Sequence, residues 1–173
     1  MFLKRSYGFL MPALLAAPLF VHVLFAQAPA EAPKRPDFTG RWRMVKEQSN
    51  FGKFRMPDIV VRVVEDHDPT MNVHTVQTAG DKTTMVDVSY LTDGTVTKNV
   101  INGRDAESKA FWDGDVLVVR TSMKTSAGDN ELVTDRWELS EDKNTLVMTS
   151  HVDTDKGEAD MKMVCIKEKP AGS

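Results

Sequence analysis

A single rhythm runs from residue 40 to residue 167. Short stretches rich in Val, Thr, Met and aromatic side chains recur about every ten residues, separated by residues that turn the chain. The separators carry their own chemistry. Ala79-Gly80-Asp81-Lys82, Thr92-Asp93-Gly94, Asn102-Gly103, Asp113-Gly114, Gly128-Asp129 and Lys156-Gly157 supply the positive backbone angles that tight hairpins need. This spacing predicts ten strands, at 40–47, 59–65, 71–78, 83–91, 95–101, 106–112, 116–123, 130–139, 145–153 and 158–167. Only 48–56 breaks the pattern, and it reads as a short helical turn or a lid loop ended by Pro57.

Alternation within these stretches gives each strand one apolar face. Trp42 and Met44 point opposite to Arg41 and Arg43; Leu117, Val119 and Met123 oppose Arg120; Trp137 and Leu139 oppose Arg136 and Glu138. Strands joined by tight turns are antiparallel neighbours, and ten of them with one apolar face close on themselves so that no edge stays bare. The expected fold class is therefore all-β, an up-and-down antiparallel β-barrel of about ten strands. A two-sheet sandwich is the competing arrangement.

The N-terminus has a different character. Lys4 and Arg5 precede an uncharged apolar run over residues 9–25, followed by Ala26-Gln27-Ala28-Pro29-Ala30. Charged, apolar and small-residue regions in that order are those of a secretory signal peptide, with cleavage after Ala26 or Ala30. An uncleaved anchor is the alternative, against which Pro12 and Pro18 weigh, and membrane contact is expected only through this segment if it stays uncleaved. The organisation is then a signal peptide at 1–26, a disordered Pro-rich linker at 27–37, a barrel at 38–168 and a flexible tail at 169–173. The protein is expected to be exported, periplasmic or extracellular.

Removing Lys4 and Arg5 leaves 20 Lys plus Arg against 25 Asp plus Glu, a net charge of −5 on 147 residues. That length suffices for one domain with a real core. Interspersed acidic and basic residues without a basic face exclude nucleic acid as a partner. A lone cysteine, Cys165, forms no internal disulfide, so an exported domain must rely on its core, as a monomer in this reading.

The segment Asp37-Phe38-Thr39-Gly40-Arg41-Trp42-Arg43-Met44, followed by Ser49-Asn50-Phe51-Gly52, resembles the start of lipocalin and fatty-acid-binding-protein barrels, where Gly-x-Trp opens the first strand. Phe111-Trp112-Asp113-Gly114-Asp115 and Asp135-Arg136-Trp137-Glu138-Leu139-Ser140-Glu141-Asp142 are similar to lipocalin-like domains of exported bacterial proteins. The resemblance covers most of 37–168. It implies a lipocalin-like barrel of calycin type with Gly40 and Trp42 at the closed end, Trp42 packed against a basic residue from a late strand, Arg136 or Lys162. It also implies a small apolar or amphipathic ligand inside. Fatty-acid-binding proteins hold a carboxylate with an Arg-x-Tyr pair on the last strand, whereas here that stretch reads Met161-Lys162-Met163-Val164-Cys165, so a fatty acid is not implied.

Methionine adapts well to irregular apolar ligands, which makes Met44, Met85, Met123, Met148, Met161 and Met163, with Trp137, the candidate ligand-contacting residues. Plain core filling explains the same residues. Catalysis finds little support: Ser150-His151 with Asp153 or Asp155 invites a hydrolase, but strand neighbours alternate faces and form no triad. His67, His74 and His151 lack metal-ligand spacing, and Glu65-Asp66-His67-Asp68 reads as turn chemistry. No enzyme, metal or cofactor is expected. Two functional classes stay open, a barrel binding a small hydrophobic molecule and a filled barrel acting through its surface as an interaction or inhibitory module; an enzyme using the cavity is a third. Expression in an exporting host tests the first assignment: the intact mass should show loss of residues 1–26 or 1–30, and retention of the full chain would contradict cleavage.

Overall fold

The computed structural model describes residues 35–169. The expected signal peptide, most of the expected linker and the end of the expected tail lie outside the described residues. Ten strands follow one another: β1 Gly40–Met44, β2 Ile59–His67, β3 Thr70–Ala79, β4 Lys82–Leu91, β5 Val96–Ile101, β6 Arg104–Asp113, β7 Val116–Lys124, β8 Asn130–Leu139, β9 Thr145–Thr154 and β10 Gly157–Lys167. A 3-10 turn, Lys46–Gln48, is the one helical element among the described residues. All strands belong to one antiparallel sheet in the order β4-β3-β2-β1-β10-β9-β8-β7-β6-β5, so the sandwich alternative is set aside. The last strand pairs the first: Trp42 faces Lys167 and Met44 faces Cys165. The result is a ten-stranded, nearly closed barrel.

Closure is completed by side chains rather than by a ladder. The sheet ends on β4 and β5, and between them Asn99 spans the seam: the Ser89 amide donates to its Oδ1 at 2.9 Å and its Nδ2 donates to the Ser89 carbonyl at 3.1 Å. One carboxamide thus supplies the donor and acceptor of a missing backbone rung. The Gly94 amide, in the β4–β5 turn, adds a bond to the Ala110 carbonyl on β6 at 2.8 Å.

β1 stops earlier than the expected residue 47 because Ser49 interrupts it. Its hydroxyl donates to the Val45 carbonyl at 2.7 Å and accepts from the Val164 amide at 3.1 Å, standing in for backbone between the strands. The chain nevertheless continues along β10, with Asn50 and Lys162 exchanging backbone bonds of 2.8 and 2.6 Å. Gly52 then presses on this strand: its φ is +54°, and a Cβ there would lie 2.6 Å from the Asp160 carbonyl oxygen. The short helical turn falls at Lys46–Gln48, just ahead of this segment, and the residues after it form a rim along β10.

Register decides which residues face the axis. The inward set includes Trp42, Met44, Val60, Val64, Met71, Val73, Tyr90, Ala110, Leu117, Val119, Trp137, Leu146, Met148, Met163 and Cys165, and these with Phe38 form the buried core. Replacing Asn99 by Ala removes both seam bonds. It should lower stability by about 1–2 kcal/mol, seen in urea as an earlier midpoint at unchanged slope. An unchanged midpoint would mean the seam is held by packing alone.

Candidate functional site

The barrel interior is layered, and its floor comes from the segment preceding β1. Phe38 is fully buried and crosses the end of the barrel where β2 meets β3 and β8 meets β9. The Trp42 indole N–H donates to the Phe38 carbonyl at 2.9 Å. Phe38 stacks on Trp112, centroids 5.9 Å apart, and meets Trp137 edge-on at 5.8 Å. The Lys167 ammonium lies 5.2 Å from the Trp42 ring centre. Gly40 permits this: its φ is +148°, and a Cβ would stand 2.5 Å from Lys167 Cε. Aromatic faces beneath cations and edge-on ring pairs stabilise such a floor beyond plain burial.

Above the floor sits a polar band. Arg62, inward on β2, lies over the inner wall with its guanidinium carbon 5.0 Å from the Trp137 ring centre; its Nε donates to Thr75 Oγ1 at 3.1 Å and its Nη1 contacts Met148 Sδ. Across from it Asp135 on β8 accepts a bond from the Ser150 hydroxyl on β9. Burial drives the Asp135 carboxyl above its ordinary range, against the opposing effects of Ser150 and the Arg62 charge. Burial also raises the Tyr90 phenol, reinforced by the Asp135 charge and opposed by Arg62. The Cys165 thiol is pushed up to about 11 by burial, which leaves it protonated and inert. A buried Ser108–Thr121 hydroxyl pair at 2.9 Å continues the band across β6 and β7.

Beyond the band the interior opens. Val86, Val88, Met123, Val133 and Met161 all face inward by register, yet each is only half-buried. A filled barrel would bury such positions. At this mouth Arg104 on β6 pairs with Glu131 on β8 at 2.7 Å and also donates to the Lys124 carbonyl at 3.0 Å. Phe51, from the rim segment, packs against the core.

Sequence comparison is silent for this chain: no protein-family model matches it, and no curated protein matches it. Solved structures do resemble it. A secretory abundant heat soluble protein from Ramazzottius varieornatus superimposes with TM-score 0.53 at 13% identity, over 75% of this chain and 94% of that one. Zebrafish ileal bile acid-binding protein complexed with cholic acid gives 0.51 at 14%, over 76% and 98%. Lipid binding protein 8 of Caenorhabditis elegans gives 0.51 at 11%, over 76% and 95%. The fold is that of lipocalin-like barrels. At such identities the likeness concerns the backbone alone.

The expected contact residues divide. Met44, Met123, Trp137, Met148, Met161 and Met163 face the interior, the first, third, fourth and last of them buried. Met85 does not: pairing with Val76 puts it on the outer face of β4, 67% exposed, and it leaves the candidate set. The basic partner of Trp42 is also different from either residue expected. Arg136 points outward and pairs with Asp113 at 3.1 Å, while Lys162 is exposed on the outer face of β10; Lys167, in register with Trp42, takes the place. Ser150 and His151 lie on opposite faces, His151 outside and 2.8 Å from Asp160. His74 likewise pairs with Asp87 on the outer surface at 2.5 Å. Asp66 and Asp68 serve the floor, accepting from the Phe38 amide at 3.3 Å and from Arg35 at 3.1 Å.

Arg62 and Asp135 were not anticipated. Asp135 was readable, because Trp137 inward and Arg136 outward place residue 135 inward as well. Arg62 was not, since Val60, Val61, Val63 and Val64 surround it and erase the alternation that would assign its face.

Asp135 supplies a pH prediction. A carboxyl that ionises at higher pH when folded is neutral in both states at low pH, and it costs stability as pH rises from the ordinary value of 3.8 through the raised folded value. Asp135→Asn should therefore melt higher than the native protein at neutral pH, the difference closing as pH falls below the ordinary carboxylate range. Thermal melts across pH check this; a variant less stable at neutral pH would show that the ionised carboxylate is net favourable where it sits.

Proposed function

We propose that this is an exported, monomeric binding protein that carries a small hydrophobic or amphipathic molecule inside its barrel, in the periplasm or outside the cell. The observation that carries the reading is the half-buried state of inward-facing side chains above a sealed aromatic floor. Interior positions reached by solvent mean space, and space lined by Val86, Val88, Val133, Met123 and Met161 favours apolar guests. Support also comes from the fold's company, since two of the similar structures are a bile acid-binding and a lipid binding protein. Export rests on the N-terminal charged, apolar and small-residue regions, and on the resemblance to lipocalin-like domains of exported bacterial proteins.

Native mass spectrometry of the protein purified from an exporting host, followed by organic extraction, tests the reading. The expected result is a discrete adduct released into solvent as a lipid or apolar metabolite. A bare polypeptide mass together with no uptake of a neutral apolar dye would favour a filled barrel acting through its surface.

A further inference from the structure

We propose that the polar band is a subsite for the hydroxyl end of a neutral amphiphile, held among Arg62, Tyr90 and Asp135, and that it disfavours free carboxylates. This rests on the ligand-binding reading above and names the class of ligand it serves.

The three residues come from separate strands, β2, β4 and β8, and face one space. Arg62 reaches across the interior from β2 to the opposite wall, touching Trp137 on β8 and Met148 on β9. Asp135 and Ser150 are cross-strand partners, each two residues along its strand from the side chain that Arg62 touches, a spacing of about 7 Å on the same face. The groups are incompletely satisfied. Among the described residues Arg62 makes no ion pair and bonds only Thr75 and Met148, Asp135 accepts only from Ser150, and the Tyr90 hydroxyl, on a side chain 7% exposed, has no partner. Protein partners leave donors on Arg62 and Tyr90 and an acceptor on Asp135 free toward the open interior, where a guest carrying a hydroxyl can match them.

The character of the guest follows from the charges. A carboxylate would accept from Arg62 and Tyr90, but it would bring a second negative charge beside Asp135, and like charges sharing one site oppose each other strongly. A hydroxyl accepts from Arg62 or Tyr90 and donates its own proton to Asp135, satisfying both walls without added charge. No proton transfer or bond change is involved. Above the band the apolar walls of Val86, Val88, Val133 and Met161 accept an alkyl body.

Displacement of the neutral dye Nile red from the purified protein by decanol and by decanoate, at about pH 8 where the acid is ionised, separates the cases. Decanol should bind about tenfold tighter than decanoate or better. Asp135→Asn should narrow that preference mainly by strengthening decanoate, and Tyr90→Phe should weaken decanol several-fold more than it weakens Nile red. Decanoate binding as tightly as decanol to the native protein, or a preference unchanged in Asp135→Asn, overturns the subsite while leaving ligand binding intact. Should Asp135→Asn fail to fold, the native comparison and Tyr90→Phe still decide the matter. Failure of Nile red and both decyl compounds to bind overturns the ligand-binding reading, and the subsite with it.

Discussion

The hydrogen bond from the Trp42 indole to the Phe38 carbonyl, 2.9 Å long, fixes a short extended segment across one end of the barrel, and much else is arranged on that seal. Phe38 so held becomes the surface on which Trp112 and Trp137 pack. Trp137 in turn provides the face beneath Arg62, and the Arg62 charge partly offsets the effect of burial on Asp135, Tyr90 and Cys165. Floor, polar band and open mouth are thus linked in one chain of contacts. A barrel of this girth without a floor would be a leaky sleeve; with it, apolar and polar surfaces are stacked along the axis in a fixed order.

The two ends are built by different means. At the floor, aromatic burial and cations over rings do the holding, and the glycine at position 40 leaves room for Lys167 to cross to Trp42. At the mouth, half-buried polar pairs such as Arg104 with Glu131 hold strand ends while leaving solvent access. The seam between β4 and β5 is intermediate, held by a side-chain amide that imitates backbone. Such a seam lacks the repeated rungs of a ladder and is the natural place for the barrel to yield first.

How much of this was legible in the sequence depends on what each residue reports. Turn pairs such as Asn102-Gly103 and Lys156-Gly157 speak about local backbone angles, and strand count and order follow from them almost alone. Trp42 and Trp137 are read correctly as inward because charged neighbours mark the other face. Met85 was misplaced although its outward side was readable: Val86, Val88 and Tyr90 alternate with Asp87 and Ser89, which puts residue 85 on the polar face, and methionine sits comfortably on either face. Lys167 was missed because its partnership with Trp42 depends on the register of the first strand with the last, a contact across the whole chain that local patterning does not encode. Arg62 illustrates the same limit in a functional setting: its importance comes from reaching the opposite wall, a property of the closed barrel and not of β2.

The central claim is that the space above the Phe38–Trp42 floor receives a guest. Methyl-labelled methionine resonances read this directly, because Met123, Met148, Met161 and Met163 face the interior while Met85 lies outside as an internal control. On titration with Nile red, the interior methyls should shift together and saturate at one equivalent, with Met85 unmoved. Shifts confined to Met85 and its outer-face surroundings, with the interior methyls unchanged, would contradict an open interior and move the binding surface to the outside of the barrel.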